Sequence, residues 1–503
     1  MSNSYNKQII NNSIFSIIQI IIVVLCSFFL YKYIIETIGL EKLGLWSLIL
    51  SVTSLASIGN FGFTGSLIKF SAELSVNHQY KKINAILNIS ALVVSVALFL
   101  ILTIVYFLGY YFIGYFVSEE WVSTGTDLLF YALISLFINI IGALYFSVLE
   151  GLNMAYLKSL SFIITTIVYT ILSVLFINEF DIMGLAYAQL CQSFLFLLLG
   201  IILSKTYIKS FTLFYFKWHK ELMRKIFLYS LKFQGMGVTQ LLYDPITKTI
   251  LSKFGGLEFV AIFEMASKLV KQVRLIPARI LINTVPKIVK LNIIKSEEKI
   301  KEVYNKINII NILLLFITVL VVIPFSKITS ILIFDHVDTN FMIILIVLSA
   351  GELLASLSTS AYIINLGTGE IKWNIISHLV IGVLNLILCL SIGLIFKDGM
   401  YIIYGWIISL VLGSLVTAFE YHKRNNIPFN LLFNTNFFQA LFYFLVFGIL
   451  SYFINDQINN IIYLIIIQTL LTLLYVFMLT TRIKDIKQNI IYIIKTKRNE
   501  LNS

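Results

Sequence analysis

The chain has 503 residues, of which 59% are hydrophobic and only 12% charged, and its mean hydropathy is +0.93. A soluble protein of this length needs a far larger polar surface, so the composition points to a polytopic membrane protein. The formal net charge is +12, and its meaning depends on where the bases fall.

Apolar runs long enough to cross a ~30 Å hydrocarbon core recur from end to end. Taken in chain order, they predict an all-α fold of fourteen transmembrane helices. The spans are 14–33, 43–68, 85–109, 128–149, 159–177, 184–204, 231–250, 259–285, 307–325, 341–366, 374–395, 401–419, 437–454 and 461–480. The first run is too long for a signal-peptide core and lacks a small-residue cleavage site, so it reads as a retained helix. Cys26, Cys191 and Cys389 lie in separate apolar runs without a CxxC. Neither a disulfide framework nor a metal site is expected.

An even number of spans puts both termini on one side. The loops then sort by lysine and arginine. One set comprises the N-terminus, 69–84, 150–158, 205–230, 286–306, 367–373, 420–436 and the tail from Thr481. It holds most of the 37 bases, whereas the opposite loops hold Lys32, Lys42, Lys253, Lys327 and Lys397. The basic set is the expected cytoplasmic side. The other loops are short and mildly acidic, with Glu119, Glu120, Glu179 and Asp181. The net charge is thus accounted for by topology in a cytoplasmic (inner) membrane, and no nucleic-acid partner is expected.

The chain also repeats itself. "GLEKLGLW" at 39–46 resembles "GLEFVAIF" at 256–263, an offset of 217 residues (256 against 39). The same offset pairs Leu74 with Leu291, Lys82-Ile83 with Lys299-Ile300 and Asn88 with Asn305. A duplication divides the chain into a six-helix lobe at 1–204, a basic cytoplasmic linker at 205–230, a second six-helix lobe at 231–419, and two extra helices with a basic tail at 420–503. Two six-helix halves are a transporter architecture, in which the site is expected between the halves near mid-membrane.

One stretch breaks the apolar pattern. "FEMASKLVKQVRLIPARI" at 263–280 places Glu264, Lys268, Lys271, Arg274 and Arg279 in a predicted span. At 100° per residue they fall within an arc of about 140° on one helix face. Shifted back by 217, the same positions are Ser47, Ser51, Ser54, Ser57 and Gly62, so each half has a polar face. In the preceding helices Ser27 corresponds to Asp244 and Tyr31 to Lys248. A charge facing lipid costs at least ~2.5–3.5 kcal/mol. The helix therefore lies at the membrane interface, or pairs its ions internally (Glu264 with Lys268, for example), or lines a water-filled cavity. A cationic cavity wall suits an anionic ligand, and arginine suits phosphate through its bidentate fork.

The candidate substrate-binding set is Lys248, Glu264, Lys268, Lys271, Arg274, Arg279, Ser47, Ser51 and Ser54. Asp244 and Glu352 are candidates for coupling to a proton or cation. Glu352, mid-span at 341–366, reads either as a carrier or as the counter-ion of a lysine in the same half. Glu150 and the five histidines read as interfacial or isolated. No GxxxxGK[ST], HExxH, GxSxG or metal-spaced Cys/His cluster occurs, so neither an ATP site nor a cofactor is expected. The outer loops are too short to house a glycan-processing catalytic domain, and an enzyme is not expected.

Two six-helix lobes, "IGLEKLGLWSLILSVTSLASIGNFGFTGSLIKFSAEL" at 38–74 and "LEGLNMAYLKS" at 149–159 resemble the polysaccharide transporter family. This is the O-antigen and capsule flippase branch of the multidrug/oligosaccharidyl-lipid/polysaccharide exporter superfamily. The resemblance implies a secondary-type flippase that moves undecaprenyl-pyrophosphate-linked oligosaccharide to the outer leaflet by alternating access. It places the chain in surface polysaccharide biosynthesis, including lipopolysaccharide, with a polysaccharide polymerase and assembly proteins as candidate partners beside the lipid bilayer. Related lipid II flippases have fourteen helices and a cationic cavity formed by helices 1, 2, 7 and 8. This chain departs from them by carrying serines rather than arginines on helices 1 and 2, so no site transfers residue for residue. The alternatives are a cation-coupled multidrug exporter of the same fold, which favours an acidic cavity, and a membrane-embedded polymerase or acyltransferase.

Overall fold

The computed structural model describes residues 2–208, 211–218, 220–240, 243–282, 284–429, 432, 435–458 and 460–482. Among the described residues the regular secondary structure is helical, as the apolar runs require: in hydrocarbon every backbone N–H and C=O must be satisfied within its own segment. In chain order the helices are α1 Ser2–Ile38, α2 Leu40–Ala56, α3 Phe63–Val76, α4 Tyr80–Phe116, α5 Glu119–Gly151, α6 Ala155–Phe180 and α7 Met183–Tyr207. Next come α8 Lys220–Gln240, α9 Asp244–Gly255, α10 Leu257–Ile282, α11 Val285–Ile293, α12 Glu297–Val322 and α13 Ser326–Phe334. The chain continues with α14 Thr339–Ala355, α15 Thr359–Thr368, α16 Lys372–Phe396, α17 Gly399–Arg424, α18 Thr435–Gln457 and α19 Ile461–Arg482. Among the described residues, 11 helical segments are long and apolar enough to cross a membrane. The other expected spans fall on α8 and α9, on α10 and on α12. The protein is a multi-pass membrane protein of the all-α class that the sequence indicates.

The internal repeat governs where helices begin and end. Gly39 opens α2 with φ 90 and ψ 166, and Gly256, 217 residues later, stands before α10 with φ 87 and ψ 167. Asn77 and His78 end α3 before α4 starts at Tyr80; His78 has φ 55, and its counterpart Lys295 has φ 51 ahead of α12. Starts at Leu40 and Leu257, Tyr80 and Glu297, and Ala155 and Lys372 all keep the offset. A left-handed backbone residue is costly outside turns, so its recurrence at equivalent positions supports duplication better than side-chain identity does.

Three expected spans are interrupted. The span 43–68 stops at Ala56, passes through a 3-10 turn at Ser57–Asn60, and resumes at Phe63. Phe61 and Gly62 there adopt φ of 47 and 71. Gly62 also lies against α8, where an added Cβ would collide with the Ser230 carbonyl; both conditions require glycine. The span 231–250 becomes the end of α8 and a new helix from Asp244. Pro245 has no N–H to donate and a φ already suited to a first turn. The span 341–366 is broken by a 3-10 turn at Ser356–Ser358. Part of the expected linker 205–230 is also helical, because α8 begins at Lys220.

The chain forms two compact units. The first contains Met1–Glu264 together with Lys397–Gly399, and the second contains Met265–Phe396 and Met400–Ser503. In the first, α5 packs against α2, α3, α4, α6 and α7, while α9 lies on α2 and α4. Ser252 donates to the Phe116 carbonyl at 2.8 Å, and the Lys253 ammonium sits 3.2 Å from the Tyr115 ring centroid, a cation–π contact. Buried Asn84 donates to the Thr212 carbonyl at 3.1 Å, as does Asn88 at 3.2 Å, and Asn88 accepts from the Phe214 N–H at 3.1 Å. These bonds tie the segment after α7 to α4. In the second unit, α12 packs against α14, α15, α18 and α19, around a core that includes Phe316, Leu353, Phe437 and Tyr475.

Lipid tails are as apolar as leucine, so burial from water does not drive these helices together; close van der Waals packing does. Fully buried small residues, Ser90, Ser135 and Ser173 among them, permit that approach. Phe99, Phe107, Ile171, Leu394, Phe442 and Leu473 remain more than half exposed, a surface suited to hydrocarbon.

Candidate functional site

The charged stripe lies on α10, which runs unbroken from Leu257 to Ile282 with Pro277 inside it. Its first eight residues belong to the first unit and the remainder to the second. Glu264 is the last residue on the first-unit side. Its Oε2 is 2.5 Å from the Lys248 Nζ on α9, and the side chains are 20% and 6% exposed. The Tyr31 hydroxyl on α1 donates to its Oε1 at 3.3 Å. An ion pair this sequestered repays its desolvation only with close geometry and further hydrogen bonds, and Tyr31 supplies one. Glu264 thus has an ionic partner on a neighbouring helix, Lys248 of α9.

In the second unit Lys268 and Lys271 are half-buried and Arg274 is exposed. Both lysines take part in polar interactions. Arg274 Nη1 lies 2.7 Å from Glu352 Oε2 on α14, with side chains 44% and 11% exposed. That oxygen is buried and receives no aligned hydrogen bond. The contact is thus an ion pair held by proximity and charge. Around it Val270, Val273, Leu315, Val319, Val322 and Leu353 line a narrow cavity whose other polar members are Ser349 and Ser356. Pro277 has no N–H, so the Val273 carbonyl loses its regular helical donor one turn earlier. The backbone of Arg279 is within α10, but its side chain lies outside the described residues.

The serine face of α2 is more self-contained. Ser51 donates to the Ser47 carbonyl at 2.9 Å and Ser54 to the Ser51 carbonyl at 2.7 Å. The Ser47 hydroxyl is buried without a hydrogen-bond partner. Asp244 sits in the first turn of α9, where a carboxylate complements the helix dipole.

Sequence reasoning did not find the partner side chains. Tyr31 appears there only as the repeat counterpart of Lys248, yet both reach the same carboxylate. Nor does the sequence pair Arg274 with Glu352. Also unanticipated is a polar cluster in the second unit. Arg424 pairs with Glu370 and donates to Asn365 Oδ1 at 2.9 Å, while buried Asn365 donates to Asn374 Oδ1 at 3.0 Å. The signal for it was available as a buried asparagine in each of two adjacent apolar runs.

A duplicated set of apolar helices with ions paired inside its membrane segments defines an all-α, polytopic membrane fold. Solved structures agree at the level of fold. One titled "Lipid II flippase MurJ, inward closed conformation" aligns with a TM-score of 0.71 and 16% identity over 94% of this chain and 98% of its own. An inward-facing multidrug resistance MATE family transporter aligns with a TM-score of 0.69 and 16% identity, over 79% of this chain and 94% of its own. A Vibrio cholerae MATE transporter aligns with a TM-score of 0.58 and 15% identity, over 86% and 99%. No curated protein sequence matches the chain. Residues 9–292, more than half of the chain, match the family described as polysaccharide biosynthesis protein, and the chain belongs to that family.

Proposed function

We propose that this protein is a flippase that carries undecaprenyl-pyrophosphate-linked oligosaccharide across the cytoplasmic membrane by alternating access, for O-antigen, capsule or a similar surface glycan. The observation that carries the reading is Lys268, Lys271 and Arg274 on one face of a membrane helix, in a chain of the polysaccharide biosynthesis family. Cations within a membrane segment are retained where they serve a pathway, and a pyrophosphate is the anion such a lipid-linked glycan presents. In this reading Lys268, Lys271, Arg274 and Arg279 bind the pyrophosphate in a hydrated cavity. The serine face of Ser47, Ser51 and Ser54 lies along the sugars, the polyprenyl tail stays in lipid, and Asp244 and Glu352 are the coupling candidates. Both termini and the 205–230 segment are cytoplasmic, and a polymerase receives the product.

The MATE-like fold supports a second reading, cation-coupled export of drugs. It calls for an acidic site, whereas the paired acids Glu264 and Glu352 each already face a base. Proteoliposomes containing the purified protein separate the two. Translocation of a fluorescent undecaprenyl-pyrophosphate oligosaccharide is expected, and is lost in Arg274→Ala. The charged hydrogen bonds removed are worth roughly 1.5–3 kcal/mol each. Arg274→Lys keeps the charge without the fork and retains part of the activity. Efflux of a cationic dye without movement of the lipid would reverse the assignment.

A further inference from the structure

We infer that Glu352 is a proton-accepting counter-ion that holds Arg274 until an anionic headgroup takes the arginine over, so that substrate capture is accompanied by proton uptake at Glu352. This rests on the proposed binding of a pyrophosphate at Arg274.

The geometry requires an exchange. Arg274 is the exposed member of the pair and Glu352 the sequestered one, at 44% and 11% of their side chains. An incoming anion can reach the guanidinium, but it cannot replace the guanidinium as partner of the carboxylate. Glu352 Oε2 accepts no aligned hydrogen bond, so once Arg274 turns away little holds its charge. The Ser349 hydroxyl on the same helix is committed to the Leu345 carbonyl at 2.7 Å. From α12 the cavity receives Leu315, Val319 and Val322, and from α14 Leu353. An ionised carboxylate left among these groups without a partner is strongly disfavoured, and it neutralises by binding a proton.

Other titratable groups nearby do not take its place. Lys271 lies one turn from Arg274 on α10 and is half-buried, with its own interactions. Tyr362 on α15 and His378 on α16 feel the charge of Arg274. From α13, which packs on α14, Lys327 is directed to the carbonyls of Asn455 and Ile458. The Ser356 hydroxyl in the 3-10 turn is buried and unpartnered, placed to accept a hydrogen bond from a protonated Glu352 as the cavity rearranges.

The step balances simply. The Arg274–Glu352 ion pair breaks, an Arg274–phosphate pair forms, and one proton moves from water to a Glu352 oxygen. Release of the headgroup reverses it. Substrate affinity in the wild type therefore weakens as pH rises, by up to about tenfold per pH unit for one linked proton.

Isothermal titration of the full chain in detergent with farnesyl pyrophosphate, in buffers of differing ionisation enthalpy, counts those protons. Comparing wild type with Glu352→Gln cancels protons carried by the ligand itself. The expected result is about one more proton taken up by the wild type, and a flatter affinity–pH profile in Glu352→Gln. Infrared difference spectra should show a protonated-carboxyl band on ligand addition in the wild type that Glu352→Gln lacks. Binding by both proteins with equal proton uptake overturns the exchange while leaving the anionic-substrate reading in place. Binding by neither overturns that reading and the exchange with it. Should Glu352→Gln not fold, a wild type that binds without the carboxyl band overturns the exchange by itself.

Discussion

Replacing Lys248 with Met removes an ionic partner of Glu264 and tests whether the pair is structural. At 2.5 Å, Coulomb's law with an effective dielectric of ~20 gives roughly 7 kcal/mol of attraction. Desolvation of two largely buried ions offsets most of that, so the pair contributes little compared with a well-packed apolar couple. Leaving one ion alone is different, and costs about 3–5 kcal/mol. Lys248→Met falls at the low end, because the Tyr31 hydroxyl still donates to Glu264. Glu264→Leu falls at the high end, because the stranded Lys248 side chain is only 6% exposed. The double variant Lys248→Met/Glu264→Leu strands neither charge and returns to near wild-type stability. Reversible unfolding in mixed detergent micelles supplies all four stabilities of the cycle. The expected coupling is about 3 kcal/mol or more. A double variant as unstable as the sum of the two singles would refute the pairing.

Three further outcomes are expected. Phosphatase fusions at Trp218 and Asn502 should be inactive if both segments are cytoplasmic, and activity at either reverses the orientation. Cysteines at Lys268 and Lys271 should react with a hydrophilic thiol reagent in the membrane. A cysteine at Ala266, which is fully buried, should not, and equal labelling at all three would remove the hydrated face of α10. Gly62→Ala should destabilise the first unit by at least ~1–2 kcal/mol from the left-handed backbone alone. Its midpoint of thermal unfolding should fall accordingly, whereas an unchanged midpoint would mean that the α3–α8 contact yields freely.

Helix existence was legible because it rests on a single strong constraint, the satisfaction of backbone groups in hydrocarbon. Helix continuity was not. Nothing in the run 43–68 announces a stop beyond Gly59 and Gly62, and glycine is common in unbroken membrane helices. The break became necessary only through α8, whose Ser230 carbonyl occupies the space a Cβ at Gly62 would fill. The split of 231–250 was more accessible, since Asp244-Pro245 is a helix start by its own local chemistry. It was hidden by the apolar residues on either side, which carry the hydropathy across the gap.

The site shows the same division between local and distant information. Periodicity placed the charges of α10 on one face, because that depends only on spacing along one helix. It could not choose among partners, because Lys248 and Glu264 are sixteen residues apart and Tyr31 lies 233 before Glu264. The repeat contains part of the missing information. Tyr31 and Lys248 occupy equivalent positions in the two halves, and both meet Glu264, whose own counterpart is Ser47. In the first half a tyrosine and a serine occupy the positions that a lysine and a glutamate occupy in the second. Duplication therefore preserved the backbone, down to the φ of Gly39 and Gly256, while the polar chemistry diverged. An excess of cations in one half, against neutral hydroxyls in the other, follows from that divergence. It also suits the substrate proposed above, a lipid-linked glycan with its anionic charge at one end and its hydroxyl-rich sugars at the other.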